Sequence, residues 1–378
     1  MNNILDFEKC ANCGACYNIC PTQAISVISD VFYKLSVDED KCISCGLCKD
    51  VCPVNCGKIM QNIQHAYSGI HKDEKTVRKS SSGGAFTAIS EYVLSRGGIV
   101  FAAGYSDDCR KVNFISTENV SLDELRRSKY VESNVGVTFK TIKEKLEQGT
   151  LVCFCGAPCQ VAGLKSFLKI EYDNLITCDF SCGGMPSHVF YNEYLDYIEK
   201  KLKSNINSVN FRPKLYGWNR HAIEIVAKNG KKYRNLASND PYFHCFLHQR
   251  FSIRDYCYEC QFATNHYSDI ILADFWKYKG ITEYSKNDSG ISLIITNSKK
   301  GDELICKLTD KMDLRKVELD KASYNIVEKK CDDSFIEKRK AFLNDCQKYG
   351  FIKTAIKPKK IKKIKGIIKY KIWKLKNG

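Results

Sequence analysis

Proline, glycine and long apolar runs are scarce in this sequence, and each scarcity excludes a class of protein. Seven prolines and 23 glycines in 378 residues exclude a collagen-like chain. An apolar share of 44% with 11% aromatic residues excludes a mostly disordered chain. No stretch approaches the roughly 18 uninterrupted apolar residues that a membrane-spanning helix needs. The N-terminus lacks the basic and apolar regions of a secretory signal, so we expect a cytoplasmic protein. The length predicts about two or three domains.

Cysteine, in contrast, is abundant. The chain has 21 cysteines. In a reducing cytosol, such thiols are more often metal ligands or redox groups than disulfides. The spacing of the cysteines therefore has to decide what they bind.

The first 60 residues contain a duplicated cysteine loop. Four cysteines and a proline recur at an offset of 32 residues, as Cys10, Cys13, Cys16, Cys20 and Pro21, and as Cys42, Cys45, Cys48, Cys52 and Pro53. In such a loop, three thiolates bind one 4Fe-4S cluster and the fourth binds the other cluster. We call the resulting sets the first set (Cys10, Cys13, Cys16 and Cys52) and the second set (Cys42, Cys45, Cys48 and Cys20). A zinc site or a disulfide knot is the alternative, but zinc knuckles are usually spaced farther apart. Residues 1–60 resemble a bacterial-type two-cluster ferredoxin of α+β fold.

Residues 61–79 are polar and predict a linker, and alternating strands and helices follow from residue 80. Apolar segments at 99–103, 151–154, 270–273 and 291–296 predict buried strands. Residues 222–234 predict a hairpin, whereas 85–94 and 189–202 predict helices. The pattern indicates a mixed α/β domain over residues 80–352.

Four further cysteines lie in patterned surroundings. Cys159 and Cys182 lie in glycine-containing turns, and Cys257 and Cys260 form a C-x2-C knuckle. We call these four the third set, and their pattern predicts an Fe–S cluster or a zinc site. Cys155 and Cys178 are close enough in sequence to replace Cys159 and Cys182. The other cysteines have no patterned partner, and we expect them to be buried or free thiols.

The turn Ser80-Ser-Ser-Gly-Gly84 precedes a predicted helix. A glycine-rich turn at a helix start exposes free N–H groups that suit a phosphate. A serine N-cap with two permissive glycines explains the same residues equally well.

Six motifs in order resemble those of the coenzyme F420 hydrogenase/dehydrogenase beta-subunit family. They are Ser81–Thr87, Ser128–Tyr130, Gly156–Gln160, Asp240–Tyr242, Cys257–Cys260 and Asp269–Trp276. The fused ferredoxin resembles family members encoded among surface-polysaccharide genes. The resemblance implies a flavoprotein with FAD and one 4Fe-4S cluster, bound through the third set. It also implies that the flavin is lined by Ser82, Gly83, Gly84, Ser128, Lys129 and Tyr130.

Two positions depart from the family pattern. Gly183 follows Cys182, where many bacterial relatives carry histidine, and Ala273 replaces a common glycine. The missing histidine removes an obvious proton donor. Lys129 and Tyr130 are the candidate catalytic residues, because the resemblance places them near the flavin ring.

The last segment, residues 353–378, has 11 lysines and no acidic residue, which accounts for most of the net charge of +16. Ile361, Ile364, Ile368, Ile372 and Leu375 recur at steps of three and four residues. This spacing predicts a basic amphipathic helix that could bind the anionic inner face of the cell membrane. A solvated tail and a nucleic-acid-binding tail are the alternatives, and no other motif supports nucleic acid.

These patterns predict an iron–sulfur flavoprotein oxidoreductase. Electrons would pass between the ferredoxin clusters, a third cluster and FAD, with hydride-type transfer to or from a small molecule. The small molecule would be an F420-like deazaflavin or a metabolite of a polysaccharide pathway, and a redox protein or small carrier would exchange electrons with the clusters. The rival hypothesis is an electron-transfer subunit that feeds a partner enzyme and performs no substrate chemistry. A regulatory redox sensor is a third possibility, without a dedicated partner-binding domain to support it.

Overall fold

The computed structural model of the chain describes residues 9–55, 65–276, 288–322 and 331–356. In the N-terminal part, β1 (Ile25–Ser29) and β2 (Tyr33–Val37) pair antiparallel. Two short helices, α1 (Ala15–Ile19) and α2 (Leu47–Asp50), each contain the third cysteine of one loop.

The centre of the molecule is a mixed sheet of eight strands, counted within the described ranges. In spatial order they are β13 (Met312–Val317), β3 (His65–His71), β12 (Ser292–Thr296), β11 (Ile270–Asp274), β7 (Leu175–Phe180), β6 (Val152–Cys155), β4 (Ile99–Tyr105) and β5 (Val112–Ser116). Strands β11, β7, β6 and β4 run parallel, and the remaining pairs are antiparallel. The mixed α/β fold predicted from the sequence is therefore confirmed.

A second, smaller sheet has three antiparallel strands among the described residues. They are β8 (Ile206–Asn210), β9 (Ala222–Ala227) and β10 (Lys232–Leu236). Strands β9 and β10 form the hairpin that residues 222–234 predicted.

Helices cover both faces of the large sheet. The remaining α-helices are α3 (Glu74–Lys79), α4 (Ala85–Leu94), α5 (Leu122–Leu125), α6 (Thr138–Glu147), α7 (Pro158–Leu168), α8 (His188–Leu202), α9 (Pro241–His244), α10 (Lys299–Cys306), α11 (Asp333–Tyr349) and α12 (Phe351–Ile356). Helices α6 and α7 pack on one face, and α4 and α10 pack on the other. Because both faces are covered, the parallel strands are apolar on both sides. Among the described residues, no helix has the length and apolarity required to cross a membrane.

Two boundaries differ from the sequence predictions. Residues 65–79, expected to be part of a linker, form β3 inside the large sheet and α3 beside it. The segment looked polar because its buried positions hold small or polar residues such as Ala66, Ser68 and His71. The boundary drawn at residue 353 lies inside α12, and the remainder of the basic tail, from residue 357, lies outside the described residues.

Candidate functional site

Each N-terminal cysteine loop turns into its helix at a glycine. Gly14 precedes α1 with a φ of 88°, and Gly46 precedes α2 with a φ of 77°. Such left-handed backbone conformations favour glycine, because a Cβ atom would clash with the following carbonyl group. The two copies of the repeat therefore share one local geometry.

The fold brings the first set together across the repeat. Cys10, Cys13, Cys16 and Cys52 all line one hollow of about 500 Å³, part of which is open to solvent. The pKa of Cys16 is raised to about 12, chiefly by burial and in part by the neighbouring thiols of Cys10 and Cys52. The structure thus groups Cys52 with the three cysteines of the first loop, as the spacing predicted, and the binding of a cluster by these four stays a prediction.

The second set is more exposed. Burial is the largest cause of the raised pKa of Cys48, and Cys45 and Cys42 add to it. Cys20 packs with Cys48 against a small core that contains Ile25 and Leu35. That these cysteines bind iron stays a prediction from their spacing.

The third set also lies together, although its members come from three segments. Cys159 lies in the first turn of α7, Cys182 follows β7, and Cys257 and Cys260 lie in a short helical turn and just after it. All four contact the same hydrophobic cluster beneath the sheet. Burial raises the pKa of Cys159 well above its ordinary value, with contributions from the thiols of Cys260, Cys182 and Cys257.

Cys155 and Cys178 lie elsewhere. They are in register on neighbouring strands β6 and β7, and they pack with the hydrophobic cluster on the opposite face of the sheet from the third set. This placement favours Cys159 and Cys182 over these two rivals as ligands.

The third set has the donor chemistry of an iron–sulfur site or a zinc site. Ligating cysteines are deprotonated, and four crowded thiols, one buried and three partly buried, lose their protons readily only when a metal supplies positive charge. Within the described ranges, no group of three or more His, Cys, Asp or Glu side chains is placed to hold a metal ion. Four cysteine thiolates are the ligands of a 4Fe-4S cluster and also of a structural zinc ion. The residues present therefore fit either group, and the binding of a cluster stays a prediction.

The glycine-rich turn lies against the edge of β3 and β12. A Cβ atom at Gly83 would lie 2.3 Å from the carbonyl oxygen of Gly69 and 2.6 Å from the amide nitrogen of Ser292, so no other residue fits without movement. Gly84, with a φ of 96°, is the N-cap of α4 and contributes no side chain. The hydroxyl of Ser82 instead donates to the carbonyl of Ile291 at 2.7 Å. The serine N-cap interpretation is therefore wrong, because the N-cap residue has no side chain and the amide of Ala85 donates to the hydroxyl of Ser292 at 3.5 Å instead.

The structure brings the second predicted flavin segment to this turn. The amide of Ser128 donates to the hydroxyl of Ser81 at 2.9 Å. Lys129 donates to the carbonyls of Leu125 and Arg126 at 3.0 and 2.8 Å, so it caps the C-terminus of α5. Burial lowers the pKa of Lys129 to about 7.

Tyr130, the other candidate catalytic residue, is held in an aromatic cluster. Its ring centre lies 5.5, 5.3 and 5.2 Å from those of Phe211, Phe243 and Phe246. Its carbonyl accepts a hydrogen bond from the hydroxyl of Tyr242 at 2.7 Å. These contacts give Lys129 and Tyr130 structural roles, and a catalytic role for either stays a prediction.

Sequence reasoning missed two basic residues beneath the glycine-rich turn. Lys214 donates to the carbonyls of Val77, Ser82 and Ser289 at 2.6, 2.7 and 2.6 Å. Arg212, which is buried, pairs with Asp274 at 2.7 Å and donates to the carbonyl of Ser81 at 3.2 Å. The signal available in the sequence was a pair of basic residues, Arg212 and Lys214, separated by one residue and directly after Phe211, which is buried in the structure.

Glu132 was also missed, and it connects the N-terminal part to the rest of the molecule. This fully buried carboxylate accepts from the amide of Tyr33 at 3.1 Å, from Nδ1 of His188 at 2.6 Å and from Arg254 at 2.9 Å. Arg254 also donates to the carbonyl of Tyr33. The ring of His188 stacks on that of Tyr33 at 3.9 Å between centres. The β1–β2 hairpin is therefore fixed on the large domain by a buried charge network.

Models of known families match three stretches of the chain. Residues 66–138 match the N-terminal part of the coenzyme F420 hydrogenase/dehydrogenase beta subunit, and residues 149–322 match its C-terminal part. Residues 3–60 match a 4Fe-4S dicluster domain. The chain belongs to the coenzyme F420 hydrogenase/dehydrogenase beta-subunit family. Together with the dicluster domain, this membership makes it an iron–sulfur protein of an oxidoreductase family.

Two known proteins are similar to this chain. A coenzyme F420-dependent sulfite reductase from Methanocaldococcus jannaschii is 26% identical over 196 residues, which span 52% of this chain and 31% of that protein. A chain in the xenon-derivatised F420-reducing [NiFe] hydrogenase complex from Methanosarcina barkeri is 15% identical. It superposes with a TM-score of 0.46, covering 77% of this chain and 94% of the other.

The two departures from the family pattern lie close to the site. Gly183 adjoins Gly184, where a Cβ atom would lie 2.8 Å from Ile253 and 3.3 Å from the Cβ of Cys257. Ala273 lies in β11 beside Asp274, the partner of Arg212. Asp179, which lies in β7 three residues before Cys182, forms a buried pair with His266 at 2.8 Å.

Proposed function

We propose that this family member is an iron–sulfur flavoprotein oxidoreductase. Electrons would enter or leave through the two N-terminal clusters, pass a third cluster held by Cys159, Cys182, Cys257 and Cys260, and reach FAD beside the glycine-rich turn. The observation that carries this proposal is the gathering of four buried thiols from three segments next to the dicluster domain.

The glycine-rich turn supports the flavin part of the proposal. N–H groups at the start of a helix such as α4 attract phosphate oxygens, and the helix dipole adds a partial positive charge there. Lys214 and Arg212 donate to carbonyl groups of the turn from below, so they fix its shape and add positive charge. A dinucleotide such as FAD has two negatively charged phosphates, which this positive charge would attract.

The chain's own residues would position and insulate the reacting groups. A bound flavin supplies the exchange between one-electron and two-electron chemistry. The buried aromatic residues around Tyr130 exclude water on one side of the turn. Lys129, with its pKa lowered to about 7, is placed to hold or release a proton near neutral pH.

For the substrate, we propose a small molecule that accepts or donates a hydride equivalent. The name of the sulfite reductase relative supports an F420-like deazaflavin, and the fused dicluster domain resembles that of members from polysaccharide gene clusters, which supports a sugar-pathway metabolite. The second candidate is an electron-transfer subunit without substrate chemistry. It is favoured by the exposed position of Cys45 in the second set, where a redox partner protein can approach.

The first experiment is anaerobic purification followed by assays of iron, sulfide and flavin. About twelve irons and one FAD per chain agree with the proposal, since each cluster holds four irons. Eight irons and no flavin would refute both the third cluster and the flavin site. Hydride transfer by the isolated chain to a deazaflavin, measured by absorbance, would separate the enzyme from the electron-transfer subunit.

A further inference from the structure

The first set and the third set meet at one helix. On α7, Gly163 lies directly against Cys13, because a Cβ atom at Gly163 would lie 2.9 Å from the Cβ and 3.0 Å from the Sγ of Cys13. Only a residue without a side chain allows the first cysteine loop to approach α7 this closely. Gly163 therefore sets the distance between this loop and the helix.

Cys159 lies one helical turn before Gly163. Residues four apart lie on the same face of a helix, so Cys13 packs over the face that carries Cys159. Both cysteines are 8% exposed, and the charge of Cys13 is among those that act on the Cys159 thiol. The two sets are therefore adjacent, and packed protein atoms of α7 connect them.

The second set lies on the other side of the N-terminal part. Cys45 is exposed, and the neighbouring Ile43 keeps 64% of its surface accessible. The first set is therefore the inner one, and the second set is the one that solvent and an external carrier can reach.

Two hydrogen bonds fix this orientation besides the Glu132 network. Asn18 in α1 donates to the carbonyl of Gly136 at 2.8 Å. Gln261 is next to Cys260, and Pro53 directly follows Cys52. The side chain of Gln261 donates to the carbonyl of Pro53 at 3.1 Å. The first bond therefore ties α1, which carries Cys16, to the segment before α6. The second ties the residue after Cys52 to the residue after Cys260.

We propose that the cluster of the first set is the relay to the third cluster, that the cluster of the second set is the entry point, and that Gly163 is the positioning residue of this junction. This inference rests on the proposed function. An external low-potential one-electron donor would reduce the second-set centre. One electron would then pass to the first-set centre and on to the third, each donor being oxidised by one electron as its acceptor is reduced. No bond or proton changes at the junction, and two such passages supply a two-electron reduction.

The test compares the wild-type holoprotein with Gly163→Ala, which adds one methyl group against Cys13. The control is Ser166→Thr, which adds one methyl group to the same helix at a partly exposed position. After anaerobic reduction, low-temperature electron paramagnetic resonance reports the magnetic coupling between neighbouring reduced clusters. We expect weaker coupling and severalfold slower internal electron transfer in G163A, with unchanged iron content, and wild-type behaviour in S166T.

Unchanged coupling and unchanged transfer in a twelve-iron G163A protein would overturn the relay alone. Eight irons in the wild-type protein would overturn the third cluster and the relay together, so the two failures are distinguishable. If G163A does not fold, Cys45→Ser replaces it, because this change alters only the second set. Coupling between the first and third clusters should persist in C45S, and its loss there would overturn the assignment.

Discussion

At the scale of single residues, Lys214 has the most specific role that the sequence did not reveal. Its ammonium group joins three backbone carbonyls from separate segments, one of them in the glycine-rich turn. Hydrogen bonds to charged groups contribute about 1.5–3 kcal/mol each, so the turn loses its shape when the group is removed. We therefore expect Lys214→Met to weaken FAD binding about tenfold or more, which corresponds to about 1.4 kcal/mol.

The measurement is a flavin fluorescence titration of the deflavinated protein. Lys232→Met is the control, because Lys232 is exposed on β10, away from the turn. Equal FAD affinity in K214M and wild-type protein would show that Lys214 does not support the flavin site.

Lys214 also predicts a pH dependence of stability. Burial, with the Arg212 charge as the next cause, lowers the pKa of Lys214 to about 7 in the folded state. The unfolded chain keeps the ordinary lysine pKa of about 10.4 and therefore binds more protons between these two values. The contribution of Lys214 to the free energy of unfolding therefore rises with pH between about 7 and about 10.4, and it is constant below pH 7.

We accordingly expect the wild-type protein to gain unfolding temperature relative to K214M between pH 7 and pH 9. Anaerobic thermal unfolding at several pH values measures this difference. A constant difference over the same range would mean that the lysine remains charged in the folded protein.

At the scale of elements, the two faces of the large sheet separate the rival cysteines. Alternate residues of a strand point to opposite faces, and β6 and β7 place Cys155 and Cys178 on the face away from the third set. Cys159→Ala should therefore lower the iron content by about four per chain, because a cluster rarely survives the loss of a ligand in a buried site. Cys155→Ala should leave the iron content unchanged.

Iron and sulfide assays of the two anaerobically purified variants make this comparison. Cys153→Ala is a further control, because Cys153 is buried on the same strand as Cys155. Loss of iron in C155A with retention in C159A would reverse the assignment of the ligand.

Local patterns predicted many elements of this fold correctly. The β9–β10 hairpin and helix α4 follow from neighbouring residues, whose apolar periodicity is visible in the sequence. Strand β3 does not, since Gly69 lies against Leu314 and Met312, more than 240 residues away. Its pairing with β12 and β13 depends on contacts distant in the chain, which no local pattern encodes. The third set was found because its cysteines are chemically distinctive, whereas Lys214 and Glu132 act through backbone groups that a sequence does not display.

At the scale of the whole molecule, the buried charge network joins the dicluster domain to the large domain. Glu132 has contacts with both parts, through Tyr33 on one side and through His188 and Arg254 on the other. Removing one charge of a buried network leaves its partner uncompensated and costs about 3–5 kcal/mol. We expect Glu132→Gln to destabilise the docked arrangement by an amount of this order while each part keeps its own core.

Limited proteolysis of the anaerobic protein tests this prediction. Cleavage that separates the N-terminal part from the large domain should be faster in E132Q than in wild-type protein, and coupling between the first and third clusters should weaken at the same time. The control is Glu144→Gln, which removes a carboxylate from an exposed position of α6. If cleavage accelerates but the coupling is unchanged, the Gly163–Cys13 contact and the hydrogen bonds of Asn18 and Gln261 hold the junction, and Glu132 contributes stability without positioning the clusters.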